Sequence, residues 1–170
     1  MKRFLIILGM FALASAGPAV SAPLERGEVS FGESGLPLPR FVSISADRAN
    51  LRTGPGEQYP IMWVYEKKLY PLEIIEEYEQ WRKVRDLEGE EGWIHVVLLS
   101  GKRTGLITGG MRILFEKPDV TSQPVARVEA GVIGEIIECN ETWCQIDVGP
   151  EEGWINTEGL WGTYFGEVFD

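Results

Sequence analysis

The sequence predicts an all-β protein built from two small barrels in tandem, and two observations lead to that fold class. The first is an internal repeat: the segment over residues 73–94 returns over residues 135–155, with Glu-Ile-Ile-Glu, a tryptophan and Glu-Gly-Trp-Ile in the same order. A repeat of roughly 60 residues is too long for a solenoid unit and suits a small complete domain. The second is that short β-branched and aromatic runs are separated by turns containing Gly and Pro, without a helical period in the apolar residues.

The amino terminus has the composition of a cleavable signal peptide, predicted over residues 1–22. Lys2 and Arg3 precede an almost wholly apolar run, and small residues follow up to Ala22. The run is too short to span a membrane comfortably. Cleavage after Ala16 and cleavage after Ala22 both fit the small residues there, and a retained anchor is the alternative. We therefore expect a periplasmic or secreted protein with no stable membrane insertion after cleavage.

The rest of the chain divides into an extended linker and two domains. Residues 23–40 are rich in Gly and Pro and poor in large apolar side chains, which is typical of a linker. Strand patterns and turns then fill residues 41–104, the predicted domain 1, and return over residues 105–170, the predicted domain 2. A hinge is expected at residues 102–105, between the two copies.

The charge of the chain is acidic and unevenly distributed. The formal net charge is −10 at pH 7, and loss of Lys2 and Arg3 with the signal peptide makes the mature chain more acidic still. Residues 105–170 contain 3 Lys or Arg side chains against 12 Asp or Glu. Such a field repels nucleic acid, so no nucleic-acid partner is expected. The asymmetry fits either plain solubility or different roles for the two copies.

Cys139 and Cys144 are the only cysteines, and in an oxidising compartment so close a pair favours a disulfide. A strand–turn–strand pattern places them near opposite ends of a short hairpin loop, where a bridge is sterically possible. A catalytic thiol is the alternative, but no pattern places the single histidine, His95, beside either cysteine. No grouping has metal-ligand spacing and no nucleophile motif is present, so we expect no metal, no cofactor and no enzymatic activity.

Several motifs of the repeat occur together in a known family. Residues 50–56 (Asn-Leu-Arg-Thr-Gly-Pro-Gly) form a turn-rich loop, residues 81–84 a strand that begins with Trp, and residues 92–94 a closing Gly-Trp-Ile. The pattern over residues 41–162 resembles two copies of the bacterial SH3-like domain, although the second copy lacks the Asn, Arg and Gly residues of the loop. The layout is also similar to a group of small exported bacterial proteins with two such domains, paired cysteines and a closing Leu-Trp-Gly, here at residues 160–162.

The resemblance implies a fold and a class of ligand. Each copy should form a partly open barrel of about five to seven strands, so the predicted fold is two tandem small SH3-like barrels after the signal peptide. Relatives of this domain recognise cell-wall peptides or target wall-degrading enzymes. A cell-wall peptide or an envelope protein is therefore the expected partner.

Tryptophans at matching places in the two copies predict a structural role. A shared core or a barrel seam would require the same ring in both domains, whereas a binding surface need not be repeated. The matching pairs are Trp81 with Trp143 and Trp93 with Trp154.

Other aromatic residues occur in the first copy alone. Tyr59, Trp63 and Tyr65 follow or end the long loop of that copy. The sequence aligns them, in order, with Gln123, Arg127 and Glu129. An aromatic cluster confined to one copy is the better candidate for a binding surface.

The predicted site is a groove lined by Tyr59, Trp63, Tyr65 and Tyr78, with Arg52 holding a ligand carboxylate. The alternative for Arg52 is a salt bridge or carbonyl contacts that brace its own loop. Each of these residues belongs to domain 1.

Basic residues concentrate in the same copy. On the strand after Trp81, Arg82 should face the opposite side of the sheet from Lys83 and Arg85. His95 is expected at a surface or a strand edge.

The sequence favours a non-enzymatic exported binding module that recognises a cell-envelope peptide, such as a peptidoglycan stem peptide, through domain 1. The alternative is a periplasmic protein–protein scaffold in which the acidic domain 2 docks a basic partner or another copy of the chain.

Overall fold

The computed structural model describes residues 30–169. The fold is all-β, as the sequence predicted, with two antiparallel sheets of seven strands, one small hairpin and two single-turn 3-10 helices at Val96–Leu98 and Thr157–Gly159. The predicted signal peptide, residues 1–22, and the start of the predicted linker, residues 23–29, lie outside the described residues. No helix within residues 30–169 is long and apolar enough to cross a membrane.

A hairpin precedes domain 1, where the sequence predicted an extended linker. It consists of β1 (Ser30–Phe31) and β2 (Pro37–Leu38). The sheet of domain 1 then contains β3 (Arg40–Ile44), β4 (Ala49–Arg52), β5 (Ile61–Tyr65), β6 (Pro71–Tyr78), β7 (Trp81–Arg85), β8 (Glu91–His95) and β9 (Leu99–Ser100). Their spatial order is β5-β4-β8-β7-β6-β3-β9, so β5 lies at one edge.

Domain 2 repeats this arrangement after a short connection over residues 101–103. Its strands are β10 (Thr104–Ile107), β11 (Arg112–Phe115), β12 (Pro124–Val128), β13 (Ile133–Cys139), β14 (Trp143–Asp147), β15 (Glu152–Asn156) and β16 (Leu160–Trp161). Their order is β12-β11-β15-β14-β13-β10-β16. Thr104 and Gly105, which the sequence placed in the hinge, pair with β13 and belong to the second sheet.

Strict alternation along the central strands gives each sheet one apolar face. In β7, Arg82 and Val84 are buried while Trp81, Lys83 and Arg85 face outward, the facing that the sequence predicted for its basic residues. The buried side chains form one core in each domain. The domain 1 core contains Val42, Ile44, Ala49, Leu51, Tyr65, Leu72, Ile74, Val84 and Ile94, and the domain 2 core contains Ile107, Leu114, Val128, Ile136, Cys139, Cys144, Ile146, Ile155 and Leu160.

The hairpin β1–β2 is held to domain 1 by a buried carboxylate. The Glu77 side chain has no exposed surface, and its oxygens accept hydrogen bonds from the backbone N–H of Ser34 at 2.7 Å and the Ser34 hydroxyl at 2.8 Å. Arg40 also donates to this carboxylate, and Arg82 Nε lies 3.2 Å from it. Two cations and two hydrogen bonds compensate for the burial of the charge.

Domain 2 has a disulfide at the equivalent cross-strand position. Glu77 lies opposite Arg82 between β6 and β7, and Cys139 lies opposite Cys144 between β13 and β14. The predicted disulfide joins these two cysteines, whose Cα atoms are 4.1 Å apart. On its other side, the backbone of Cys139 pairs with Phe169 of the C-terminal tail. Each domain therefore has a cross-strand clamp, Glu77–Arg82 in domain 1 and Cys139–Cys144 in domain 2. The hairpin β1–β2 contacts the first clamp, and the C-terminal tail contacts the second.

The two domains are joined by an aromatic contact around Phe41 of β3. The Phe41 ring lies edge-on to Trp161 at 5.1 Å and contacts Tyr164 at 4.8 Å between centroids. The Arg103 guanidinium lies 5.9 Å from the Phe41 ring and 4.6 Å from the Phe169 ring. Cation–π and edge-to-face geometry contribute beyond the apolar area that is buried.

Hydrogen bonds near Phe41 reinforce the contact between domains. The Thr104 hydroxyl donates to Leu69 O at 2.7 Å, and Trp161 Nε1 donates to Pro71 O at 3.2 Å. The Tyr164 hydroxyl donates to the Glu73 carboxylate at 2.9 Å. Burial and this hydrogen bond raise the pKa of Tyr164, so the phenol remains a donor across the physiological range.

The Glu77 cluster predicts an acid-sensitive attachment of the hairpin. Burial opposes ionisation of Glu77, but hydrogen bonds from Ser34 and Arg40 outweigh it and hold the pKa of the carboxyl below its ordinary value. Because the folded pKa is the lower one, this stabilisation is complete above the ordinary glutamate pKa of about 4.3 and is lost as the pH falls through the folded value. We expect Glu77→Gln to destabilise domain 1 by about 2–4 kcal/mol at neutral pH and to flatten its acid dependence.

Urea unfolding at neutral pH and at about pH 3, followed by tryptophan fluorescence, measures both effects. Glu57→Gln removes an exposed carboxylate and is the matched control; its acid dependence should equal that of the wild type. An unchanged acid dependence in Glu77→Gln would contradict the role given to the cluster.

Candidate functional site

A groove with a volume of about 830 Å³ follows the edge strand β5 of domain 1. Consecutive residues of this strand and of the loop after it form one wall, and the turn between β7 and β8 forms another. The lining residues are Leu51, Met62, Trp63, Val64, Tyr65, Glu66, Lys67, Tyr70, Asp86, Glu88 and Glu90.

The groove offers aromatic and thioether surface to solvent. The Trp63 side chain is 61% exposed and Met62 is 47% exposed; both lie in β5, where the pairing register with β4 shifts at Met62. Tyr65 is only 6% exposed and stacks on Tyr70 with 5.5 Å between ring centroids. A large exposed ring beside a rigid aromatic pair is typical of a binding surface.

Asp86 organises the turn that forms the opposite wall. It accepts the Tyr65 hydroxyl at 2.9 Å and the backbone N–H groups of Glu88 at 3.1 Å and Glu90 at 2.9 Å. Gly89 has a φ of 86°, a left-handed conformation that favours glycine. The turn is therefore fixed by three hydrogen bonds to one buried carboxylate.

Both tyrosines of the groove act as donors. Burial raises the pKa of Tyr65 and the hydrogen bond to Asp86 raises it further. Burial, followed by the negative charge of Glu88, raises the pKa of Tyr70, whose hydroxyl donates to Glu88 at 3.3 Å. The phenols are consequently neutral hydrogen-bond donors, and neither serves as a base near neutral pH.

The groove carries a net negative charge. Its titratable lining includes the carboxylates Glu66, Asp86, Glu88 and Glu90 and a single ammonium, that of Lys67. Lys67 Nζ donates to Gly131 O of domain 2 at 2.6 Å, so this cation is directed toward the other domain.

The five predicted site residues do not share one groove. Trp63 and Tyr65 line the groove at β5, but Tyr65 is only 6% exposed and belongs to the domain 1 core. Tyr78 lies at the end of β6, opposite Trp81. Tyr59 packs over Gly54, where an added Cβ would approach the ring to 2.5 Å.

Arg52 has the bracing role that the sequence left as its alternative. Its Nη1 donates to the carbonyls of Glu57 at 3.0 Å and Tyr59 at 2.8 Å, within the same loop. Arg52 also lines a separate pocket of about 270 Å³ beside Trp81 and His95. Arg52 does not line the groove at β5, and its contact with a ligand carboxylate stays a prediction.

The pairing register corrects the alignment of the first-copy aromatics. Trp63 lies opposite Leu51, and its counterpart opposite Leu114 is Ala126 rather than Arg127. By the same register, Val128 rather than Glu129 corresponds to Tyr65, and Ser122 rather than Gln123 to Tyr59. Ala126 cannot supply an aromatic surface, so the groove surface remains specific to domain 1.

The repeated tryptophans are not core residues. Trp93 and Trp81 alternate with the buried Ile94 and Arg82, so both rings lie half-buried on the outer face of the sheet. Trp81 contacts His95 edge-on at 5.2 Å between centroids. Trp143 and Trp154 have the same facing in domain 2, so repetition reflects a shared outer surface.

His95 lies at the end of β8 and caps the following 3-10 turn. Its Nδ1 accepts from the backbone N–H of Val97 at 3.3 Å, and Asn156 caps the equivalent turn of domain 2 by accepting from Glu158. Among residues 30–169, no group of three or more His, Cys, Asp or Glu side chains could hold a metal ion.

Lys83 and Arg85, the two outward-facing basic residues of β7, are ion-paired on the outer face of the sheet. Lys83 pairs with Glu91 at 3.2 Å, and Arg85 pairs with Glu91 at 2.7 Å and with Glu73 at 3.3 Å. Hydrogen bonds from Arg85 and Lys83 lower the pKa of Glu91. The expected basic patch is therefore an ion-pair network outside the groove.

Sequence reasoning missed most of the groove. Met62, Tyr70, Asp86, Glu88 and Glu90 were not among the predicted site residues. A usable signal was present, because Asp-Leu-Glu-Gly-Glu at residues 86–90 is a tight glycine turn that returns the chain toward β5.

Comparison with known proteins gives one family match. A family model described as Bacterial SH3 domain matches residues 45–101 and residues 109–162. No curated protein matches the chain.

Solved structures with some similarity share low identity. NlpC1 from Trichomonas vaginalis is 17% identical with a TM-score of 0.35, over 85% of this chain and 51% of that one. NlpC2 from the same organism is 14% identical with a TM-score of 0.34, over 72% and 48%. An NlpC/P60 family protein from Bacillus cereus is 12% identical with a TM-score of 0.33, over 71% and 55%. The chain thus spans about half the length of these proteins.

The Tyr65–Asp86 hydrogen bond predicts how the groove responds to substitution. Tyr65→Phe leaves the buried Asp86 carboxylate without one of its three donors, and we expect a loss of about 1–3 kcal/mol in the free energy of unfolding. Trp63→Ala removes an exposed ring and should change it by no more than about 0.5 kcal/mol. Urea titration of both variants measures their free energies of unfolding. Equal losses would contradict the view that Tyr65 supports the fold while Trp63 does not.

Proposed function

Because the chain belongs to the bacterial SH3 domain family and contains two such domains in tandem, we propose that it is a non-enzymatic, exported binding module. Its first domain recognises a peptide of the cell envelope, such as the stem peptide of peptidoglycan. The disulfide supports an oxidising, extracytoplasmic location.

The exposed Trp63 ring is the observation that carries this proposal. An indole that is 61% exposed and lines a groove of about 830 Å³ offers stacking area to peptide planes. Ala126 stands at the equivalent place in domain 2, so the ring is not needed to build the fold. Exposed apolar surface that the fold does not require is typical of an interaction site.

The chemistry of the groove supports binding rather than catalysis. Asp86 is occupied by three hydrogen-bond donors, and the two tyrosines remain protonated. The groove lining contains no Ser, Cys or His side chain that could act as a nucleophile or general base.

Co-sedimentation with isolated peptidoglycan tests the proposal. The mature protein should pellet with the wall material, and Trp63→Ala should weaken its apparent affinity about 10- to 30-fold, the effect of removing a central aromatic anchor. The measurement is the bound fraction as a function of peptidoglycan concentration.

Phe165→Ala is the matched control for this experiment. Phe165 is an aromatic residue that is 88% exposed and lies outside the groove, so its removal should leave binding unchanged. Equal binding by the wild type and Trp63→Ala would assign wall binding to another surface. Failure of the wild type to pellet would refute recognition of the wall.

A row of carboxylates in domain 2 favours a second candidate function, that of a scaffold for a basic partner. In domain 1, Arg85 lies between Glu73 and Glu91 across three adjacent strands. The equivalent row in domain 2 is Glu135, Asp147 and Glu152; Glu135 pairs with Lys102 at 2.5 Å, and neither of the other two has a salt bridge within residues 30–169. Like charges at directly opposed positions destabilise a sheet, and a cationic partner would relieve that repulsion.

Substitution of the central carboxylate tests the scaffold. If domain 2 docks a basic protein, wild-type protein should retain that partner from an envelope extract at low salt and release it at about 0.5 M salt, where charges are strongly screened. Asp147→Asn should retain less of it, while Trp63→Ala should retain the wild-type amount. Retention that resists salt and is unaffected by Asp147→Asn would rule out the acidic row.

A further inference from the structure

The strand that lines the groove has a free edge. Within residues 30–169, β5 pairs on one side only, with β4. Five residues of its sequence, Ile-Met-Trp-Val-Tyr, contain neither a proline nor a charged side chain. Edge strands usually carry such residues because unpaired backbone groups otherwise attract another strand.

The corresponding edge of domain 2 is protected. Its strand β12 begins with Pro124, which cannot donate a backbone hydrogen bond, and carries Arg127. The two domains share the topology, so the fold can accommodate this protection, and β5 lacks it.

The groove runs along this free edge and could accommodate an extended peptide. Met62 to Lys67 line it consecutively, so both faces of β5 contribute. A peptide added as a strand would find backbone partners along β5 and apolar contact with Met62 and Trp63.

Charge selects which peptide would fit. Glu66, Glu88 and Glu90 are exposed at the groove, and Lys67, its only cation, is engaged by Gly131 O. An ammonium group near the Trp63 face would gain both cation–π contact and ion pairing with these carboxylates. An anionic segment would be repelled from the same place.

We propose that domain 1 binds an extended peptide segment bearing a free ammonium group, added as a strand to the open edge of β5, with the amine between Trp63 and the carboxylates of Glu88 and Glu90. This deepens the proposed function by naming the chemical group that the peptide site recognises. The recognised group is an amine, the opposite of the carboxylate that the sequence led us to expect.

Two matched pairs of probes test the inference. The first pair is peptidoglycan with its amines free and the same material with its amines acetylated, in co-sedimentation. The second is the soluble peptide acetyl-Ala-Lys-Ala-amide and its side-chain-acetylated form, followed by the indole N–H signals in NMR. Acetylation should weaken binding about tenfold in both pairs, equivalent to about 1.4 kcal/mol.

Substitutions in the protein provide the complementary arm. Glu88→Gln with Glu90→Gln should lower affinity for the amine-bearing probes about tenfold and abolish their preference over the acetylated forms. Glu116→Gln with Glu151→Gln removes two exposed carboxylates from domain 2 and should leave the preference intact. Near-UV circular dichroism of each variant confirms that the fold is retained.

The outcomes separate this inference from the proposed function. Wall binding that is indifferent to acetylation, together with equal binding of the two soluble peptides, overturns the amine site and leaves wall recognition standing. Amine-dependent binding of the soluble peptide without wall binding supports the amine site and refutes the wall as its source. A dimer in analytical ultracentrifugation that dissociates in Trp63→Ala would overturn the inference, because a second copy would then occupy the edge.

Discussion

A β-bulge repeated in the two domains is the constraint on which both depend. The register shifts between Ile74 and Glu76 and again between Ile136 and Glu138, so one extra residue reverses the facing of the rest of each strand. Glu77 and Cys139 thereby turn inward, each opposite its cross-strand partner. Without the bulge, those side chains would face solvent, and neither the ion cluster under the hairpin nor the disulfide could form.

The sequence predicted the architecture because repetition and periodicity are local signals. The two all-β domains followed from the repeat and its strand patterns, the disulfide from the closeness of the two cysteines, and the facing of Arg82 opposite to Lys83 from strand alternation. The same alternation places Trp81 on the outer face, which it shares with Lys83. The recurrence of this tryptophan in both copies, taken by itself, favoured a core position instead. The alignment of Trp63 with Arg127 was wrong by one residue, because the strand pairing that places Trp63 opposite Leu51 and Ala126 opposite Leu114 is not visible in the sequence.

The candidate site was harder to predict because it is assembled from non-adjacent strands. Asp86 follows β7 yet fixes the groove by accepting a hydrogen bond from Tyr65 of β5, and no local pattern reveals that contact. Arg52 is a second example of a contact that the sequence left open. Its place in the turn-rich loop was clear from the sequence, but only the structure shows that its guanidinium donates to carbonyls of that same loop. One fold thus carries two different surfaces: an aromatic, net acidic groove in domain 1, and in domain 2 a row of three carboxylates of which only Glu135 is ion-paired, with Lys102, among residues 30–169.

The exchange of an ion pair for a disulfide has a consequence for how the chain matures. The Glu77–Arg82 clamp needs only folding and the loss of water, whereas the bond between Cys139 and Cys144 forms only when an acceptor removes two electrons and two protons are released. A reduced chain therefore contains one clamped barrel and one barrel whose clamp is open. Completion of the second domain, unlike that of the first, therefore depends on how oxidising the compartment is in which the chain folds.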